Sequence, residues 1–99
     1  MLETLNYTSV AGSRSDHAIT VYALSTCGFC KRALAFLGAK GFAYRYVYVD
    51  LLPLQTKDEI KRILKERYGE NVAFPFAVVD KDRHLVGFIE ADWARTLDA

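Results

Sequence analysis

The feature that most constrains this chain is a pair of cysteines, Cys27 and Cys30, separated by two residues. They are the only two cysteines among 99 residues. The preceding segment, Ile19–Leu24, is almost continuously apolar, as in a central strand of a parallel sheet, and the following segment, Lys31–Lys40, has helical spacing. A C-x-x-C at a strand-to-helix junction inside a βαβ pattern predicts a thiol–disulfide redox site.

The spacing of the two cysteines also predicts different roles for them. A thiolate, rather than a thiol, attacks a disulfide, and the free N–H groups and dipole at a helix N-terminus favour an anion. We therefore expect Cys27 to be the more exposed sulfur and the nucleophile, with Lys31 and Arg32 adding positive charge nearby. Cys30 lies one turn later on the same helix face, so we expect it to resolve the mixed disulfide that Cys27 forms with a substrate.

Two other interpretations of the cysteines remain open at this point. Both could be small apolar core residues, since free cysteine is often buried. They could also form half of a zinc site, but structural zinc usually has four protein ligands. His17 and His84 are not spaced as the missing pair, so we predict no metal site.

Composition limits the class of protein without identifying it. The length suits one domain, and a net charge of +1 gives no strong field toward nucleic acid or an anionic membrane. No apolar run approaches the roughly 18 residues of a spanning helix, and the N-terminus lacks the apolar region of a secretory signal. Two cysteines in such a chain favour a catalytic pair in a reducing, cytoplasmic environment.

Hydrophobic periodicity predicts an α/β fold in which residues 1–17 form a flexible N-terminal arm and residues 18–99 form the domain. A short extended piece at residues 5–10 of the arm is an option. Thr56 and Glu59 match a capping box at the start of the second helix. The predicted strands are Ile19–Leu24, Tyr44–Val49, Phe76–Val79 and Leu85–Ile89, and the predicted helices are Cys27–Lys40, Thr56–Gly69 and Asp92–Leu97.

These elements predict a four-stranded mixed β-sheet flanked by three helices, in the order β-α-β-α-β-β-α. The first two strands are joined through a helix and are expected to be parallel, whereas the short polar turn at residues 81–83 predicts an antiparallel hairpin. The first and third helices should cover one face and the second helix the other. We expect Trp93 to pack the last helix on the sheet and His84 to lie at the surface.

Three features together resemble the glutaredoxins of the thioredoxin superfamily: the C-G-F-C motif at residues 27–30 after a strand, Phe74-Pro75 before the third strand, and a glycine in the fourth. The resemblance covers roughly residues 18–99 and implies a thioredoxin-like fold. It implies that Cys27 attacks, that Cys30 resolves, and that Pro75 is a cis-proline facing the active-site disulfide. Without the C-x-x-C motif, a trans proline at the first residue of a strand, which is a permitted place, would be the preferred interpretation.

The resemblance also implies a set of substrate-binding residues. A cis-proline would leave the Phe74 backbone free to pair with an extended substrate, as in strand addition. The remaining members of the implied set are Thr26, Phe29 and Gly87.

The chain departs from the usual glutaredoxin pattern at three places. A Gly-Gly pair followed by an aspartate is common in the family, and here Gly87 is followed by Phe88, with Asp92 displaced. The residues before the first cysteine, 23–25, lack the usual lysine. The Gly87-Phe88 pair resembles redoxins that receive electrons from a reductase protein, and Gly28-Phe29 resembles the monothiol, iron–sulfur-carrying branch.

The function implied is that of a dithiol oxidoreductase that reduces protein disulfides or glutathione mixed disulfides without a bound cofactor. The electrons would come from one of three donors: glutathione acting as a co-substrate, a thioredoxin reductase, or a ferredoxin-linked reductase. We expect a cytoplasmic monomer whose partners are disulfide-containing proteins, with no nucleic acid or membrane partner. The alternative is an iron–sulfur cluster carrier, in which Cys27 from each of two protomers and two glutathione thiols bind the cluster.

Overall fold

A single five-stranded mixed sheet, with strand order β1-β3-β2-β4-β5, organises the computed structural model, which describes residues 1–99. No helix has the length and apolar character needed to span a bilayer. The strands are β1 (Thr8–Val10), β2 (Ile19–Ala23), β3 (Tyr44–Tyr48), β4 (Phe76–Val79) and β5 (Arg83–Val86). The helices are α1 (Gly28–Ala39), α2 (Leu54–Tyr68) and α3 (Glu90–Leu97), and short 3-10 helices span Leu2–Thr4 and Val49–Leu51.

Strand β2 is the centre of the sheet, and all of its residues are buried. It pairs in parallel with β3 and antiparallel with β4, while β4 and β5 form an antiparallel hairpin. The predicted parallel pair and the predicted hairpin are therefore confirmed. The near-continuous apolar sequence of β2 is explained by packing against helices on both faces.

The helices divide between the two faces as predicted. One buried cluster joins β2 and β4 to side chains of α1 and α3, including Cys30, Leu37 and Trp93. A second cluster, on the opposite face, contains Ile60 and Leu64 of α2. The first and third helices thus share one face, and the second helix covers the other.

The predicted strand count of four is wrong, because the N-terminal segment adds β1 to the edge of the sheet. Thr8–Val10 pairs antiparallel with β3, and the arm expected to be flexible packs against the domain: Leu2 is buried, and the Tyr7 hydroxyl lies 3.0 Å from that of Tyr22. The optional extended piece at residues 5–10 is confirmed over Thr8–Val10, although it was not counted as a strand because two of its three residues are exposed and it has no apolar alternation.

The predicted capping box at the start of α2 does not form. The helix begins at Leu54 directly after Pro53, with no side-chain cap, and this places Thr56 and Glu59 inside the helix. Glu59 instead pairs with Arg62 one turn on. Proline pre-sets a φ compatible with helix entry and has no N–H to satisfy there, so the helix starts two residues early.

The end of β5 and the start of α3 also differ from the sequence prediction. The predicted fourth strand extended to Ile89, but β5 ends at Val86. Gly87 follows it with φ +72°, a backbone conformation that only glycine adopts readily, and it turns the chain out of the sheet. This early exit lets α3 begin at Glu90, two residues before the predicted start.

Candidate active site

The loop before Cys27 is tied to the neighbouring strand by one carboxylate. Asp50 lies just after β3, and its carboxylate accepts hydrogen bonds from the backbone N–H of Ser25 at 2.9 Å and from the Ser25 hydroxyl at 2.5 Å. The same two hydrogen bonds lower the pKa of Asp50. Because β2 and β3 are parallel, both residues follow strand ends on the same sheet edge, and their contact fixes the path of the chain into α1.

The two cysteines have different surroundings at the start of α1. Cys27 is the N-cap residue and partly exposed, and its Sγ accepts a hydrogen bond from the Cys30 N–H at 3.2 Å. Cys30 is fully buried, and its Sγ accepts from the Leu24 N–H at 3.4 Å. Burial, helped by the contact with Cys27, raises the pKa of Cys30 to about 12. Both are free thiols, so this is the dithiol form with one accessible sulfur and one held protonated.

A cis peptide bond joins Phe74 and Pro75 directly before β4, the strand next to β2. Tyr22 pairs with Phe76, and the antiparallel register, continued by one residue, brings Pro75 beside Ala23. Pro75 is buried. The N–H and C=O of Phe74 make no backbone hydrogen bond within the protein, so both groups are available to pair with a bound chain.

Gly87 lies between β5 and α3 and contacts the proline. Its N–H donates to the Pro75 carbonyl at 2.8 Å, and its carbonyl accepts from the Trp93 Nε1 at 3.0 Å. Trp93 is buried in the core between α1, α3 and the sheet, as predicted. The indole therefore holds the end of β5 against the proline.

The end of the molecule that carries Cys27 also exposes large apolar side chains. Phe29, in the first turn of α1, is 57% exposed, and the Arg32 guanidinium lies 5.3 Å from its ring centroid. The exposed residues that follow β3 or β5 at this sheet edge are Leu51, Leu54 and Ile89. These four apolar residues, called the redox-end apolar patch below, all follow strands that end on the same side of the sheet as the strand before Cys27.

The sheet brings the predicted site residues to one edge. Cys27 and Cys30 follow β2, the Phe74-Pro75 bond precedes β4, and Gly87 follows β5. Thr26 and Phe29 are exposed on either side of Cys27. His84, predicted at the surface and away from the site, is half-buried on β5, 2.6 Å from Glu70.

Sequence reasoning missed Ser25 and Asp50. Ser25 directly follows the predicted end of the first strand, and Asp50 directly follows the predicted end of the second. Parallel strands have their carboxyl ends on the same side of the sheet. This shared position after parallel strands is the feature of the sequence that could have identified Ser25 and Asp50. No group of three or more His, Cys, Asp or Glu side chains that could hold a metal ion occurs in the structure.

Comparisons with known proteins agree with this geometry. A family model described as Glutaredoxin matches residues 19–84. The solved glutaredoxin from Methanosarcina mazei Go1 is 27% identical, with a TM-score of 0.79 over 94% of this chain and 88% of that one. Methanosarcina acetivorans methanoredoxin is 30% identical, with a TM-score of 0.72 over 83% and 85%.

The glutaredoxin from Archaeoglobus fulgidus is 26% identical, with a TM-score of 0.70 over 82% of this chain and 86% of that one. No curated protein matches the chain. The residues matched by the family model, 19–84, include the strand-to-helix junction at the two cysteines.

Proposed function

This chain belongs to the glutaredoxin family of thiol–disulfide oxidoreductases, and on that premise we propose that it reduces protein disulfides or glutathione mixed disulfides, with Cys27 attacking and Cys30 resolving. The observation that supports these roles most directly is the contrast between the two sulfurs. Cys27 is accessible at the N-terminus of α1, whereas Cys30 is buried and its pKa is raised to about 12. Only the first sulfur can meet a substrate.

In the first step, the Cys27 thiolate attacks one sulfur of the substrate disulfide. The substrate S–S bond breaks, a mixed disulfide forms on Cys27, and the other substrate sulfur leaves as a thiolate that takes a proton from solvent. The Cys30 N–H, 3.2 Å from the Cys27 Sγ, stabilises negative charge on that sulfur. The free backbone groups of Phe74 can hold the substrate segment extended beside it.

In the second step, Cys30 loses its proton and attacks the Cys27 Sγ. The mixed disulfide breaks, a Cys27–Cys30 disulfide forms, and the released substrate thiolate takes up a proton. The substrate has then gained two electrons from the protein dithiol. An external thiol or a reductase protein must return them, because the chain has no other cysteine.

The identity of the electron donor depends on whether glutathione or a reductase protein binds at the end of the sheet that carries Cys27. Family membership supports glutathione as a co-substrate, whereas the redox-end apolar patch supports a protein partner, because such a surface is typical of protein contacts. We propose that the amides of Phe74 and Gly87 distinguish the two. Their NMR shifts should move on titration with glutathione if a glutathione groove exists, and unmoved shifts would favour a reductase protein.

Serine variants of the two cysteines test the assigned roles. Cys27→Ser should lose essentially all disulfide reductase activity, because no nucleophile remains at the accessible position. Cys30→Ser should trap a mixed disulfide on Cys27 that only an added thiol releases, visible as a mass increase equal to one substrate chain. Full activity in Cys27→Ser would refute the assignment.

The alternative function is transport of an iron–sulfur cluster, and an experiment can distinguish it from thiol–disulfide exchange. Only one sulfur per chain is accessible, so a cluster would need Cys27 from two protomers and outside thiols. Anaerobic reconstitution with iron, sulfide and glutathione tests it: a visible absorption band and a dimer would support carriage, and a colourless monomer would exclude it. For the oxidoreductase we propose a cytoplasmic location, where thiols stay reduced.

A further inference from the structure

The face of the sheet that carries α2 has an uncovered end, remote from Cys27. The last residue of α2 is Tyr68, and the next row of the sheet beyond it pairs Arg45 with Thr20 and Thr20 with Val78. A cleft of about 1010 Å³ opens over this row, large enough for a small organic ligand. It lies at the start of β2, whereas the cysteines follow the end of that strand.

One arginine is fixed in place at the wall of this cleft. The Arg45 Nε donates to the Thr20 hydroxyl at 2.8 Å, and its guanidinium carbon lies 4.0 Å from the centroid of the Tyr7 ring. Its two terminal nitrogens have no acceptor in the protein. The side chain is therefore already ordered, and its free donors suit a phosphate or carboxylate.

Two of the cationic side chains that line the cleft have no ion-pair partner in the protein. Glu3 is engaged by the N-terminal ammonium at 3.0 Å and by Arg67 at 3.8 Å. Arg45 and Lys81 line the cleft without a carboxylate partner, and the remaining acid at its rim is Asp82. An anion placed between Arg45 and Lys81 would meet two free cations.

The remaining lining is suited to a flat apolar group. Thr20 and Tyr22 of β2 are buried at the base of the cleft, and Val78 of β4 is half-buried beside them. Tyr68 of α2 closes one side, where its hydroxyl donates to the Lys81 carbonyl at 2.9 Å. A planar ring laid on this floor would bury apolar surface while its charged group reached the cations.

We propose that this cleft binds a small organic anion that combines a flat ring with a phosphate or carboxylate group, at a site separate from the redox centre. The ring lies on Thr20 and Val78, and the anionic group lies against Arg45 and Lys81. The proposal does not depend on the assignment of the cysteines, because Thr20, Val78, Arg45 and Lys81, which would hold the ligand, lie away from their end of the sheet.

NMR titrations of the full chain with four probes test the site. Adenosine monophosphate and 1-naphthyl phosphate carry both a ring and a phosphate, one as a nucleotide and one not. At least one of them should give saturable shifts at the amides of Thr20 and Val78 and none at Gly87. Adenosine and inorganic phosphate should each bind at least tenfold more weakly. The proposal is overturned if neither ring phosphate saturates, if the shifts centre on Gly87, or if inorganic phosphate binds equally well.

Charge-removing variants identify the groups responsible. Arg45→Gln should weaken binding at least tenfold, because it removes the charge-assisted hydrogen bonds to the anionic group. The matched control is Arg95→Gln, which removes the same charge from an exposed site on α3 and should leave binding unchanged.

A second variant covers the case in which Arg45→Gln disturbs folding. Lys81 has φ +69°, which asparagine tolerates, so Lys81→Asn removes the second cation without forcing the turn. Its binding should also weaken several-fold. Unchanged affinity in both variants would overturn the proposed role of the cations. Cys27→Ser should bind the ring phosphate normally, so loss of redox activity and loss of this site are distinguishable.

Discussion

The two faces of the sheet are built differently, and the redox pair belongs to the better covered one. On the face of α1 and α3, twelve buried residues form one cluster that contains Cys30. On the face of α2, the corresponding cluster has seven buried residues, one of them contributed by the N-terminal segment as Leu2. Cys30, the proposed resolving cysteine, is thus embedded in the larger core, while the other face retains open space.

Element dimensions explain the difference between the faces. A helix with its side chains is about 10 Å wide, and strands are about 4.8 Å apart, so one helix covers roughly two strands. Two helices suffice for most of a five-stranded sheet, and one does not. The N-terminal segment covers part of the remainder with Leu2 and Tyr7, and the cleft occupies what is left.

The largest predicted loss of stability is on the face of the sheet covered by α1 and α3. Trp93→Ala should lower the free energy of unfolding by about 3–5 kcal/mol, because the buried indole fills the core and binds the Gly87 carbonyl. Urea unfolding followed by circular dichroism measures it. A loss below about 1 kcal/mol would mean that α3 contributes little to this face.

A smaller loss is expected on the other face. Leu2→Ala should cost about 2 kcal/mol, at the low end for a buried leucine, because a terminal segment relaxes around the space left behind. Leu54→Ala is the matched control, since Leu54 is 70% exposed and its truncation should change stability by less than about 0.5 kcal/mol. Equal losses in the two variants would show that the N-terminal segment is not part of the core.

A single hydroxyl joins the N-terminal segment to the central strand. The Tyr7 hydroxyl contacts the Leu2 carbonyl at 2.8 Å and the Tyr22 hydroxyl at 3.0 Å, and burial raises the pKa of Tyr22. Tyr7→Phe should therefore cost about 1 kcal/mol by leaving the buried Tyr22 hydroxyl with one partner fewer. A double-mutant cycle with Tyr22→Phe isolates the pair, and a coupling near zero would contradict the prediction.

The smallest effect is electrostatic and depends on pH. Hydrogen bonds from His17, Ala18 and Arg83 lower the pKa of Asp80 to about 2, below the ordinary value of about 3.9. Because the folded-state pKa is lowered, the stability contributed by Asp80 is present above about pH 4 and is lost as the pH falls toward 2. The melting temperature of Asp80→Asn should therefore fall less than that of the original chain between pH 5 and 2, and parallel curves would contradict this.

The sequence predicted a strand well where both of its faces are buried, and poorly where much of the strand is exposed. β2 is buried on both faces, so its apolar run predicted both its existence and its central place. β1 exposes two of its three residues and left no such pattern. The start of α2 was misplaced because a capping-box match at Thr56 competes with the proline at Pro53, and local sequence does not rank the two.

The same reasoning applies to the candidate site. The C-x-x-C spacing locates Cys27 and Cys30 because their chemistry depends on a single helical turn. The contact of Ser25 with Asp50 depends on two strands lying side by side, and residues 25 positions apart in the chain give no local signal of it. The cleft is even less visible in sequence, because it arises from the absence of a helix.

The hydrogen bonds of Gly87 have a practical consequence. The chain contains one tryptophan, and its indole is linked through this glycine to the carbonyl of Pro75. Fluorescence excited at the indole band therefore comes from a single position beside the cis bond. We expect oxidation of the dithiol to change this emission, so that the reaction can be followed on the unlabelled protein.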